Sequence, residues 1–206
     1  MELNAQHADA LTELINIGYG RAASALSELT GYRISLEVPD LAIYPIEELA
    51  QVLLAAIPGK VATVNQAFSG RLAGHALMML DEKSALLLNQ LMLDEQTAPQ
   101  EFDASAREII TEIGNILLNA CLGVFGNLLQ VPVSFAVPRL HVEPIAHILA
   151  TIGTDKSEKL RQAIMIHTRF QLRASNVTGY ISIVLGISSL DRMLVELEKW
   201  ENRQLS

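Results

Sequence analysis

The chain has 206 residues, half of them apolar and 18% charged, with a net charge of −8. Its 15 Lys and Arg are scattered through an acidic whole, which repels phosphate backbones and excludes nucleic acid as the expected partner. A single cysteine, Cys121, excludes an internal disulfide and fits a reducing, cytoplasmic setting.

The start, MELNAQHADAL, lacks a cationic segment followed by an apolar run, so no secretory signal is expected. No unbroken apolar stretch reaches the roughly 18–20 residues needed to cross a bilayer, so no membrane insertion is expected either. Residues 6–29 repeat apolar positions at helical spacing. YRISLEV alternates and is predicted to form a strand ending at Pro39. PIEELAQVLLAA places proline in the first turn of a helix. KVATVNQAF with GHALMML reads as a hairpin, followed by the helix DEKSALLLNQLM. A polar joint, 94–105, precedes a second helix over 104–128 and a second strand, VPVSFAV, ending at Pro138. PIAHILATI predicts a short helix, AIMIHTRFQL with GYISIVL a second hairpin, and SSLDRMLVELEKW a closing helix.

That order is written twice. Sliding the chain by 99 residues lays 12–46 on 111–145 without a gap, and 11 of the 35 positions are identical. Gly74 and Leu80 then fall opposite Gly179 and Leu185 with small changes of offset. Two copies are too few for a solenoid. The expectation is one α/β domain of the α+β type over 1–206, pseudo-twofold symmetric, from repeats 1–95 and 104–206. About six strands and two long helices would build it.

Two polar residues recur at one phase of the long helices: Glu13 and Asn16, then Glu112 and Asn115. With Asp9 set at 0° and about 100° per residue, Glu13 lies near 40° and Asn16 near −20°. Leu11, Leu14, Gly18, Ala22, Ala25 and Leu29 occupy the opposite side, the predicted core face. The second helix repeats this, with Glu108, Glu112 and Asn115 opposite Ile110, Ile113, Leu117, Cys121, Val124 and Leu128. One turn on, the polar stripe carries Gly20 and Asn119, neither bulky, so that a flat surface could approach closely.

Either pair alone reads most simply as a solvated helix face. Ser105-Ala-Arg-Glu108 also fits a capping box, and Asp9 an acid favoured by the helix dipole. The recurrence gives a functional reading equal standing, because exposed positions drift most freely after duplication. No Ser, Cys or His shares the stripe, so nucleophilic catalysis is not available. A Glu–Asn pair is too small a set for a metal site. A carboxamide both donates and accepts, so it can orient a water for in-line attack, as a Gln does in GTPases. A nearby carboxylate can pair with a partner's cation.

Asp9, Glu13, Asn16 and, 22 residues on, Pro39 resemble the signature of the CheC/CheX/FliY family of chemotaxis phosphatases. Glu112, Asn115 and Pro138 repeat it, and the two-copy layout resembles the CheC arrangement across essentially the whole chain. The resemblance implies hydrolysis of the aspartyl phosphate of a phosphorylated CheY-like response regulator. Glu13 and Glu112 would dock on the regulator's Lys, and Asn16 and Asn115 would orient the water. Asp9 and Glu108 would support them, with Glu108 a longer residue than the motif's usual Asp or Ser, so the first site is expected to be at least as active as the second. No cofactor of its own is implied; Mg2+ would belong to the regulator. Binding to the receptor deamidase CheD is a further possibility in such proteins. The alternative is a non-catalytic regulator-binding adaptor or flagellar-switch-like module. Switch relatives typically lack the Glu–Asn pairs and carry extra terminal segments, for which this chain has little room. His7, His75, His141, His147 and His167 show no ligand spacing, and GTDKSEK (153–159) lacks that of a phosphate-binding loop.

Overall fold

The computed structural model describes residues 5–93, 102–128, 130, 132–153, 160–172 and 175–204. Residues 154–159 of the GTDKSEK stretch, most of the 94–105 joint, and the side chains of Pro39 and Leu128 lie outside them. The elements run α1 (Ala5–Thr30), β1 (Ile34–Pro45), α2 (Ile46–Ala56), β2 (Lys60–Gly70), β3 (Gly74–Asp81) and α3 (Glu82–Leu93). They continue as α4 (Ala104–Leu128), β4 (Val133–Phe135), β5 (Arg139–Pro144), α5 (Ile145–Gly153), β6 (Leu160–Leu172), β7 (Ser175–Gly186) and α6 (Ile187–Gln204).

The expected elements all form, within a mixed α/β fold on one antiparallel sheet. Its order is β1-β6-β7-β3-β2-β4, with β5 also paired to β2. Seven strands thus fill six positions, because β4 and β5 share one neighbour. The arrangement is palindromic: the two predicted hairpins, β2–β3 and β6–β7, meet where β3 pairs with β7.

Strand alternation sorts the core into two layers. Ala62, Val64, Met78, Leu80, Ile164 and Ile166 face a large cluster with α1, α3, α4 and α6. Val61, Leu77, Met79, Ala163 and Met165 face a smaller one under α2 and α5. The site helices therefore lie on the thicker side of a three-layer sandwich. Gly18 of α1 sits tightly against Cys121 of α4, where an added Cβ would be 3.1 Å from the Cys121 Cα. Tyr19 ties α1 to β6, its hydroxyl 2.5 Å from Thr168 Oγ1.

Several expectations are corrected. β1 runs through Pro39 to Pro45, with a register shift between Glu37 and Asp40. It is an edge strand, where a missing N–H is tolerated. The second copy does break near Pro138, between β4 and β5. Pro45 is the N-cap of α2 rather than its first residue. Ala25 and Leu29 are exposed, Leu29 at 61%. The packed stripe of α1 instead follows Ile15, Tyr19, Ala22 and Leu26, because the sheet lies to one side of the apolar arc.

Helix α4, over 104–127, is long and apolar enough to cross a membrane by length and composition, against the expectation from unbroken runs. The acidic and amide residues interrupt any run, yet the average stays apolar. Half of that stretch is buried in the fold, packed on the sheet. A last echo of the repeat sits at the helix ends. Gly31 has φ 73° after α1, and Gln130, 99 residues on, has φ 56° after α4.

Candidate functional site

Both polar stripes reach the surface. Asp9, Glu13, Asn16 and Gly20 are exposed on α1. On α4, Glu108 and Glu112 are exposed, and Asn115 and Asn119 are half-buried. The predicted pairs are thus held side by side on each helix, opposite the packed faces, and neither Asn is fully buried by the rest of the described chain. The buried positions that fix this phase are Leu11, Leu14, Gly18 and Ala22 in one helix, and Ile110, Ile113, Leu117, Cys121 and Val124 in the other.

Local hydrogen bonds set the helices. Thr12 and Thr111, identical in the two copies, donate back to the carbonyls of Ala8 and Arg107 at 2.8 and 2.6 Å. The capping box is corrected. Asp103, not Ser105, caps α4, its Oδ1 accepting from the Ala106 N–H at 2.7 Å. Glu108 is therefore released from a capping role, and its carboxylate makes no hydrogen bond to a described residue. It lines an open groove of about 940 Å³ together with Glu112, Arg107 and Arg139. Leu29, Met92, Leu93, Ile109 and Leu140 supply apolar wall to the same groove.

The two sites differ in how their Asn is held. Asn16 makes no side-chain hydrogen bond to a described residue, and the space where a Gly20 side chain would stand is open. Asn115 sits in a chain of amides. Gln66 Nε2 on β2 donates to Asn119 Oδ1 at 3.0 Å, and Asn119 Nδ2 donates to Asn115 Oδ1 at 2.6 Å. Asn115 Nδ2 then approaches Glu112 Oε2 at 3.5 Å. Sequence reasoning took Asn119 only as a small residue and missed Gln66. The signal was present: Gln66 is the one polar residue in the inward series Ala62, Val64, Gln66, Phe68 of β2, and it is buried.

The remaining reactive groups lie apart from the stripes. Burial pushes the Cys121 thiol well above its ordinary range, which keeps it un-ionised and inert. Tyr19 is raised too, chiefly by burial and then by Cys121. His7 contacts Glu198 at 3.1 Å, His75 contacts Asn65 at 3.1 Å, and His167 stacks on Tyr180. His141 and His147 both approach Glu143, at 3.4 and 3.7 Å. Chemically, each stripe offers a carboxylate and a carboxamide on a convex helix. Such a surface can charge-pair and orient water, but only against a reacting centre brought by another molecule.

Residues 7–43 match the model of the CheC-like family, a span that holds Asp9, Glu13, Asn16 and Pro39. The chain is 23% identical over 199 residues to the CheY-P phosphatase CheC of Bacillus subtilis (strain 168), covering 92% of each. Its fold resembles the crystal structure of Thermotoga maritima FliY, with TM-score 0.79 and 17% identity over 97% of this chain and 100% of that one. It also resembles the middle domain of FliM from H. pylori, with TM-score 0.67 and 10% identity over 94% and 99%.

Proposed function

We propose, from its likeness to the CheC-like family model, to the CheC of Bacillus subtilis (strain 168) and to the fold of FliY, that the chain is a CheC-like phosphatase acting on the aspartyl phosphate of a CheY-type response regulator. The observation that carries this reading is that both Glu–Asn pairs reach solvent on the outer faces of α1 and α4, Asn16 exposed and Asn115 half-buried. Glu13 or Glu112 pairs with a cation beside the regulator's acyl phosphate and so fixes where the adjacent amide lands. Asn16 or Asn115 holds a water in line with the phosphorus. The water oxygen bonds to phosphorus as the bond to the Asp oxygen breaks, releasing inorganic phosphate and the free carboxylate. Asp9 and Glu108 add negative charge at the margin of each pair. Mg2+, held by the regulator's own acidic residues, would neutralise the phosphoryl oxygens. The same reading sets the protein in the cytoplasm and makes CheD a second candidate partner.

The test is dephosphorylation of purified phosphorylated regulators. The parent chain accelerates phosphate loss, and Asn16→Ala with Asn115→Ala abolishes the acceleration while leaving the unfolding transition in place. Removing a preorganised group of this kind costs ~10²-fold or more at each site. Full activity in the double variant would refute the assigned roles. The likeness to a FliM middle domain favours a second reading, a regulator-binding module without turnover. Binding of the phosphorylated regulator with no acceleration would establish it.

A further inference from the structure

We propose that Asn119, anchored by Gln66, is the positioning residue that sets the orientation of the Asn115 amide, and that it does so in the second site alone. The proposal rests on the phosphatase reading for its kinetic consequences and on geometry for its premise. An amide side chain can usually be turned over, exchanging its oxygen and nitrogen, without changing shape. Here both ends of the chain forbid it. Gln66 also faces the Ala136 carbonyl at 3.0 Å, and a carbonyl only accepts, so the facing atom must be Nε2. That nitrogen makes the facing atom of Asn119 its oxygen, and the Asn119 nitrogen then makes the facing atom of Asn115 its oxygen. At the far end the Glu112 carboxylate, an acceptor too, faces the Asn115 nitrogen. One polarity satisfies every link. It leaves Asn115 one carbonyl lone pair and one amide proton free for a water and a phosphoryl oxygen.

The anchor depends on a local break in the sheet. Ala136 lies between β4 and β5, its N–H bonded to Ala67, which leaves its carbonyl for Gln66. In the first copy β1 runs on as one strand there, its irregularity confined to the register shift between Glu37 and Asp40. The counterpart of Gln66 is Thr168, bonded to Tyr19, and the counterpart of Asn119 is Gly20.

The full-length chain carrying Asn16→Ala, which leaves the second site to act, provides the test. Adding Asn119→Ala lowers kcat about three- to tenfold, the scale of one neutral hydrogen bond, with KM for the phosphorylated regulator unchanged. Asn119→Asp keeps the shape but cannot donate, so it inverts the polarity and loses at least as much. Gln66→Leu lowers kcat without touching α4. Without any regulator, the two side-chain amide NMR signals of Asn115, kept separate by the partial double C–N bond, lie away from the positions of a solvated Asn, and Asn119→Ala moves them towards those positions. An unchanged Asn115 signal, wild-type kcat in Asn119→Asp, or a raised KM at constant kcat overturns the proposal. If the parent chain fails to accelerate phosphate loss, the phosphatase reading falls and the NMR comparison alone decides the relay.

Discussion

Gly114→Ala tests whether α4 is pressed on the sheet at the residue beside Asn115. A Cβ at Gly114 would stand 2.6 Å from Val64 Cγ1, 2.7 Å from its Cβ and 2.8 Å from its Cγ2. Ordinary contact begins at 3.4 Å, so the shortfall is 3.4 − 2.6 = 0.8 Å. Val64 is fully buried on β2 and branches at the very atoms that collide, so no rotamer change clears them. The helix must lift instead. Overpacking of this kind costs about 1–3 kcal/mol, and the better helix propensity of Ala returns about 1 kcal/mol. The expected net loss is about 0–2 kcal/mol, a fall in Tm of up to about 8 °C for a chain of this size. Val64→Ala removes two of the colliding atoms, so the two substitutions together cost less than the sum of each alone. Gly123→Ala, in the same helix with nothing within 4 Å of its Cβ, is the control and stabilises by about 1 kcal/mol. Urea unfolding followed by circular dichroism measures all four. A stabilised Gly114→Ala, or strictly additive costs in the pair, would refute the tight α4–β2 contact.

Asp103→Ala removes the cap of α4 and lowers stability by about 1 kcal/mol, whereas Ser105→Ala leaves the urea midpoint within error. Gln130→Gly relieves a left-handed backbone, φ 56°, and raises stability by about 1 kcal/mol, read as a higher urea midpoint; Gly31 already holds the equivalent place in the first copy. Alkaline pH destabilises the fold through Cys121, whose thiol is raised by burial. Above about pH 8.5 the unfolded chain loses the thiol proton while the folded chain keeps it, so unfolding becomes easier as pH rises, by at most ~1.4 kcal/mol per pH unit. Cys121→Ala flattens that slope in unfolding titrations between about pH 8.5 and 10; an unchanged slope assigns the effect to other groups.

Much of the architecture was legible because the chain states it twice. The long helices, the hairpins and the phase of both Glu–Asn stripes follow from periodicity, which is local and needs no knowledge of neighbours. The failures are of another kind. Pro39 reads as a strand end, yet an edge position permits a proline within a strand without deciding its fate: β1 runs on through Pro39, and the opposite edge breaks near Pro138. Leu29 reads as core, yet which side of an apolar arc is buried depends on where the sheet lies. Ser105 and Asp103 are both acceptable caps, and only the path of the chain into α4 selects Asp103.

The site divides in the same way. Residue types and spacing alone put Glu13, Asn16, Glu112 and Asn115 on outward faces, because a helix turns at a constant rate and its apolar stripe must be buried. They could not distinguish the two Asn residues. That difference comes from Gln66, 49 residues before Asn115 in the chain, reaching it through Asn119 from a strand beneath the helix. A hydrogen bond between distant segments has no period and no signature in the chain. It exists only once the sheet has set β2 under α4.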